Sequence, residues 1–433
     1  MKKTLFFLFS LFMVKANAQI SLSTDTFNQL ARDYVKLGLV IGQYDSDFVD
    51  AYYGPDSLKP VLAKAKVFPK DSLIKAVKQL QKKLASYLQK GSDEVLMGRA
   101  FWIKAQLTAF DQRIRIFSGE YSSFDKETKA LFGVVVPRYK KEDYQRWLNE
   151  LNRILPGPGT ANYKFEALVD KFSIPGFKVD TLFKTAIQLS RNQTLKHLKL
   201  PADESFDLEY VKGKPWSGYN WYKGNFHSLI QLNTDVKILI ERAIDVASHE
   251  SYPGHHVYNT LLEQCLYKEK GWVEISLYPL FSPQSLIAEG TANYGIELVF
   301  PGDEKLRFAK EVLLPLAGMD TTGITTYFKA LVLKSKLNFV RNDVARGLLD
   351  GTMKTEVAQN WLIRYGLYNN ESAKKSIDFI RKYRSYVINY NYGLQLVRNY
   401  VERTMGNDKS IEHRWQVFAT LLSNQFTSSD LLP

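Results

Sequence analysis

The segment His249-Glu250-Ser251-Tyr252-Pro253-Gly254-His255-His256 concentrates chemistry that is scarce elsewhere in the chain. Three of the protein's six histidines fall inside these eight residues. Neutral imidazole is the commonest protein ligand for zinc, and a carboxylate beside it is the usual general base when a metal activates water. The segment therefore points to metal-assisted hydrolysis. In an ordinary H-E-x-x-H helix the two histidines stand four residues apart and share one face. Here the fourth residue after His249 is Pro253. Its ring removes a helical hydrogen bond and collides with the carbonyl of His249. The helix must kink or bulge at Pro253-Gly254. An unbroken helix would carry His256, seven residues on, back over His249, whereas a two-residue bulge would bring His255 there instead. Spacing alone leaves both open.

A catalytic zinc needs a third protein ligand and an open position. Glu289 lies in Ile287-Ala288-Glu289-Gly290-Thr291-Ala292-Asn293-Tyr294, an apolar, small-residue helix where an unpaired carboxylate is costly to bury. A cation would offset that charge. Glu289 is therefore the candidate third ligand, Glu250 the candidate base, and Glu297 a candidate acceptor behind a ligand histidine. His197, His227 and His413 stand singly. His227, three residues after Gly224, falls in the expected cleft and is a candidate substrate contact. Arg381 or Arg384 can offer a bidentate fork to a substrate carboxylate. The glycines between 213 and 224 lack the G-K-[ST] ending of a phosphate-binding loop.

The elements that must position these groups are mostly helical. From Thr24 to Gln43, Phe27, Leu30, Tyr34, Leu37 and Val40 recur at three- and four-residue steps. Similar patterns cover 72–89, 92–116, 125–132, 141–155, 162–172 and 178–198. Leu155-Pro156-Gly157-Pro158-Gly159 is a hard break. Phe206–Val211 and Ser228–Thr234 alternate as strands do, around the aromatic, turn-rich stretch 215–222. The strand 228–233 is expected to offer an edge to an extended peptide. Helices follow at 238–252, 257–270, 283–300, 305–319, 321–344, 355–365, 372–387 and 394–405.

The first residues read as an export signal. Lys2 and Lys3 precede the apolar run Leu5–Val14, and Ala16-Asn17-Ala18 is a small-residue cleavage site. The run is shorter than the roughly 20 apolar residues a membrane span needs. No cysteine follows it to carry a lipid. The single cysteine, Cys265, cannot form an internal disulfide, so stability must come from a large core. The formal charge of +13 drops to +10 without Lys2, Lys3 and Lys15. The basic residues are spread along helix faces without interleaved aromatics, which argues against nucleic-acid binding.

The string His249–His256 resembles the H-E-x-x-P-G-H-H signature of the bacterial family called domain of unknown function 885. That family looks like a divergent branch of the zinc peptidases that use two histidines and a glutamate. Its E-G-x-A signature is similar to Glu289-Gly290-Thr291-Ala292. The stretch Gly224–Thr234 resembles the region ahead of the family's histidine helix and ends in a matching Asn233-Thr234 pair. Tyr390-Asn391-Tyr392-Gly393 resembles a C-terminal stretch with a tyrosine three residues before a glycine. The likeness is specific between residues 205 and 300, looser between 340 and 400, and weak before 200, where Tyr44–Pro55 looks like a subgroup hallmark. The resemblance implies His249, His255 and Glu289 as zinc ligands, His255 because a glycine precedes the second histidine in many related helices. It implies Asn233 at the substrate and a tyrosine hydroxyl, Tyr390 or Tyr392, at the oxyanion. The family's P-G-Q segment ahead of that tyrosine is absent here, so both tyrosines stand.

These readings predict a mainly α fold, large, helical and metallopeptidase-like, with a small β-sheet beside the active-site helix. Residues 1–18 are the expected signal peptide, 19–155 an N-terminal helical region and 156–433 the catalytic region, continuous with it. The expected activity is that of an exported zinc metallopeptidase, periplasmic or extracellular, acting on a peptide or amide substrate. The expected cofactor is Zn2+. No nucleic-acid partner and no membrane segment after signal cleavage are expected. A zinc amidohydrolase or esterase on non-peptide substrates is the nearest rival, and a non-catalytic surface binding protein the second.

Overall fold

The computed structural model describes residues 24–90, 93–214, 216–235 and 237–433; the expected signal sequence lies outside the described residues. The chain is mainly helical. Its helices follow the apolar stripes read from the sequence, beginning with Thr24–Tyr44, whose Phe27, Leu30, Tyr34, Leu37 and Ile41 are buried. Local chemistry fixes several ends. Asp93 caps Glu94–Phe117, its carboxylate accepting from the backbone N–H groups of Val95 and Leu96. One contiguous hydrophobic core takes in residues from both sides of the Pro156–Gly159 break.

Two small sheets accompany the helices. β1 (Val49–Tyr52) pairs antiparallel with β5 (Leu277–Pro279). A second sheet has the order β2 (Ser205–Val211), β4 (His227–Asn233), β3 (Gly218–Gly224), with β2 parallel and β3 antiparallel to β4. Two expectations change here. The aromatic stretch read as turn-rich is largely strand β3. The strand expected to offer its edge, β4, is central and paired on both sides, so the free edge beside the helices belongs to β3. The β3–β4 turn puts Asn225 and Phe226 at φ 51° and 57°. Glu263 holds it there, accepting from both backbone N–H groups and from the Tyr222 hydroxyl.

Four helices matter most to the site. The base helix, Ile240–Glu250, buries Ile240, Ala243, Ile244 and Ala247 and ends at Glu250. The hinge Ser251–Gly254 follows, with a cis Tyr252–Pro253 peptide, and the histidine helix begins at His255 and runs to Leu262. The predicted kink is thus a full break. Gly254 makes it possible: a β-carbon there would stand 1.8 Å from the carbonyl oxygen of His249. The acid helix, Pro283–Val299, is buried along most of its length. It packs on the tyrosine helix, Ile388–Thr404, through two glycines. A β-carbon on Gly290 would lie 2.5 Å from the Gly393 carbonyl oxygen, and one on Gly393 would lie 2.8 Å from that of Leu286. The sequence pattern 321–344 is in fact two helices, Ile324–Leu337 and Val340–Leu349. A helix at Ile411–Ser423, capped by Ser410, adds to those anticipated.

The glycine contact yields a test. Gly290→Ala drives a methyl into backbone that cannot swing aside. It should cost about 1–3 kcal/mol, the usual range for overpacking a dense core. Thermal unfolding followed by circular dichroism reads the loss, and an unchanged midpoint would contradict the close approach.

Candidate metal centre

The hinge folds the chain back so that the two helix ends meet. His249 Nε2 and His255 Nε2 stand 3.1 Å apart, with the rings nearly perpendicular. Glu289 Oε2 lies 3.3 Å from His249 Nε2 and 3.9 Å from His255 Nε2. The three donor atoms lie within 4.8 Å of one another. Tetrahedral zinc, with bonds of about 2.0–2.1 Å, holds its donors roughly 3.3 Å apart. The set matches in chemistry as well, since two imidazoles and a carboxylate suit zinc. Glu289 Oε2 is buried and has no hydrogen-bond partner among the described residues. Its other oxygen, Oε1, accepts from the Tyr386 hydroxyl at 2.8 Å. The free oxygen thus faces two ring nitrogens, an arrangement a divalent cation between the three atoms resolves. These residues fit a zinc ion.

The electrostatics agree. Burial opposes a charge on His249, but Glu289 and Glu250 outweigh it, so its ring is raised above the usual histidine range. Burial, then His249, hold His255 down at about 4, which keeps it neutral at pH 7. Glu289 is lowered: burial alone would raise it, and the two histidines with Tyr386 more than offset that. Glu250 is pushed up to about 7 by burial, with His249 opposing and Glu289 adding. Asp50 is also raised to about 7, by burial and by Glu289, against the hydrogen bond it accepts from Tyr219. Three carboxylates within mutual reach leave a local excess of negative charge for a cation to balance.

His256 lies elsewhere. Fully buried, it meets Ser228 Oγ through Nδ1 at 2.8 Å and Glu204 Oε2 through Nε2 at 2.9 Å. Glu204 also accepts from Tyr252 in the hinge and from Arg191. Both ring nitrogens of His256 are thus engaged in a buried network that anchors the hinge, and the neighbouring residue, His255, turns to His249.

The remaining predicted residues divide. Tyr390 lines the cavity, and its phenol is raised by burial, with Glu289 and Glu250 adding and Arg341 opposing. Tyr392 is not among the cavity residues and lies near Tyr139. Asn233 borders the cavity, but its side-chain amide is used by the loop ahead of it, donating to the carbonyls of Lys214 and Trp216 and accepting from Asp235 N–H. His227 sits at the start of β4 beside Ser205 and Asp207, away from the cavity. Arg381 is exposed and bonds Thr355, and Arg384 pairs with Glu127; neither lines the cavity. Glu297 pairs with Arg398, not with a ligand histidine.

Several site neighbours carried no usable signal in the sequence. Tyr386 holds Glu289 from nearly a hundred residues away. Gly218 opens β3 directly against Glu250: a β-carbon there would lie 3.0 Å from Glu250 Oε1 and 2.5 Å from Val246. Asn220 donates to the Glu250 carbonyl at 2.7 Å. Asp50 falls in the stretch noted as a hallmark, yet only the fold brings it to the cavity. That cavity measures about 2150 Å³ and is bordered by His249, Glu250, His255, Glu289, Tyr390 and the β3 edge from Gly218 to Trp221.

Fold and site together define a mainly helical protein with a two-histidine, one-glutamate metal-binding geometry. No family model and no curated protein matches the chain. Among solved structures it is similar to an inferred lipoprotein from Colwellia psychrerythraea, at 14% identity and a TM-score of 0.53. The match covers 83% of this chain and 65% of that one, so this chain spans less than two thirds of that protein's length. Looser likenesses link it to Trypanosoma cruzi metallocarboxypeptidase 1 (11% identity, TM-score 0.45, covering 92% of this chain and 90% of that one). Another is the M32 carboxypeptidase from Deinococcus radiodurans R1 (11% identity, TM-score 0.40, covering 94% and 93%). At such identities the likeness is one of fold.

Two outcomes follow from the residues behind the ligands. Tyr386→Phe removes the donor that orients Glu289 and should weaken zinc binding about 10- to 100-fold, the usual cost of losing such a partner; competition with a chromogenic chelator measures it. Glu204 gives a pH signature. Burial would raise its carboxyl, but His256, Tyr252 and Arg191 together bring it down to about 2. A depressed carboxyl stabilises the fold above its ordinary value and loses that contribution as pH falls through the folded one. The melting-temperature gap between wild type and Glu204→Gln should therefore be widest near neutrality and close between about pH 4.5 and 2. A gap constant across that window would remove Glu204 from this role.

Proposed function

We propose that this chain is a zinc-dependent peptidase belonging with the family called domain of unknown function 885. The observation that carries the reading is the convergence of His249, His255 and the unpartnered oxygen of Glu289, with Glu250 next in sequence and facing the same cavity. A closed structural site would have no use for a free carboxylate at that point. Zinc, when bound, would supply polarisation of the scissile carbonyl and a more acidic water.

The chain's own residues supply the rest. Glu250, its carboxyl raised toward neutrality and making no side-chain hydrogen bond among the described residues, accepts the proton of the attacking water and passes it to the leaving amine. The Tyr390 hydroxyl donates to the developing oxyanion. Strand β3 aligns the substrate. Asn233 N–H bonds the Ser217 carbonyl, so in the antiparallel ladder the outward-facing groups belong to Gly218 and Asn220, beside Glu250. An extended peptide added to that edge would cross the donor cluster. This edge favours a peptide over a compact ester or amide. The signal-like N-terminus supports export, and no described helix is long and apolar enough to cross a membrane.

The test combines composition and turnover. The protein from Gln19 onward should carry about one zinc per chain by elemental mass spectrometry. Glu250→Gln should keep that zinc and lose turnover of a fluorogenic peptide library by about 10²- to 10⁴-fold. Absence of metal after incubation with zinc would sink the reading, and full activity in Glu250→Gln would remove Glu250 as the base.

A further inference from the structure

Buried arginines in this protein are paired with acids. Arg99 grips Glu274 through two nitrogens, at 2.7 and 2.8 Å. Arg113 grips Asp45 at 2.6 and 3.0 Å. Arg346 pairs with Asp125 and Asp343, and Arg384 with Glu127. Arg341 breaks the pattern. Half-buried at the cavity wall, it has no carboxylate within ion-pair distance among the described residues. Its Nε is buried with no hydrogen-bond partner. The guanidinium packs 4.6 Å from the Phe379 ring, which fixes the plane of its fork. A guanidinium with a buried, unpaired Nε and no acid beside it is costly, and the cost falls when an anion arrives.

The other cavity arginines differ. Arg398 is neutralised by Glu297, and Arg242 is exposed and bonded to Ser217. Arg341 also stands in the right place. Tyr390, Glu289 and Glu250 line the same cavity. A substrate anion at Arg341 would occupy the same cavity as the carbonyl that Tyr390 serves.

We propose that Arg341 forms the anion subsite of the cavity and takes a carboxylate of the substrate, making the chain a peptidase that cuts next to a free C-terminus. This rests on the peptidase reading above. The chemistry recognised is a carboxylate in a bidentate fork, supplied by the chain terminus or by an acidic side chain at the same position.

The test uses the zinc-loaded protein and peptides of one sequence, ending in a free acid or an amide. The free acid should be cut with a kcat/KM about 10- to 100-fold higher, as expected for a hydrogen-bonded charge pair. The advantage should lie mainly in KM. Arg341→Gln and Arg341→Met should abolish the discrimination, bringing cleavage of the free acid down to that of the amide. Arg341→Lys should restore only part of it. An amidated peptide with glutamate in the last position, cut as well as the free acid and equally dependent on Arg341, would support the subsite and assign the carboxylate to a side chain. Equal cleavage of acid and amide, or discrimination that survives Arg341→Met, would overturn the proposal while the peptidase reading stands. If wild type cuts neither peptide, the peptidase reading falls, and calorimetry decides the subsite. Tighter binding of the acid than the amide, lost in Arg341→Gln, would support it; equal binding would overturn it.

Discussion

A helix that carries a histidine and, four residues on, a proline cannot continue, and the site depends on how this chain stops. The break costs the base helix its last turn but gives the next helix a separate axis. That second axis lets two histidines six residues apart present the same ring nitrogen to one point. The contact tolerates no side chain at Gly254, where the backbone passes against the carbonyl of His249. Glu204 then fixes the angle between the helices from behind by joining the hinge at Tyr252, the second helix at His256 and the helix that carries Arg191. The first helix bears His249 and Glu250, the second His255, and the hinge sets the distance between them.

Glycine recurs as the means of close approach around the donors. Gly290 and Gly393 let the acid and tyrosine helices touch backbone to backbone, so the hydroxyl of Tyr386 reaches Glu289. Gly218 lets the edge strand lie on Glu250, and Gly295 makes room for Pro253. Each removes a side chain where two elements meet near a charged group. The result is a crowded wall around the carboxylates on one side and an open cavity on the other. That asymmetry raises Glu250 and Asp50 while leaving the substrate a way in.

Much of the helical fold could be read in advance, because the apolar stripes are long and their period is clear. The candidate donors were partly legible for a different reason: His249, Glu250 and the His255-His256 pair are neighbours in sequence, though spacing alone left the choice between those two histidines open, and Glu289 is conspicuous as an acid in an apolar helix. What could not be read came from residues distant in the chain. Tyr386 and Asp50 approach Glu289 only through packing; nothing marks Tyr386 out among 25 tyrosines, and the hallmark stretch around Asp50 does not say that it meets the donors. Tyr390 and Tyr392 were inseparable by sequence. Two residues apart on a helix they point in different directions, and only the packing of that helix decides which meets the cavity. The strand order failed for the same kind of reason: alternation marks β2 and β4 as strands, but that β4 is central follows from β3, which hides in an aromatic run.

The span of sequence that separates the donors has a consequence for how the site comes into being. Residues 249 and 255 sit on adjoining helices and can meet as soon as the hinge forms, a local event with little loop to close. Residue 289 and its orienting phenol at 386 close far longer loops, so the histidine pair is the local part of the cluster and the carboxylate with its phenol the part that depends on the packing of distant segments.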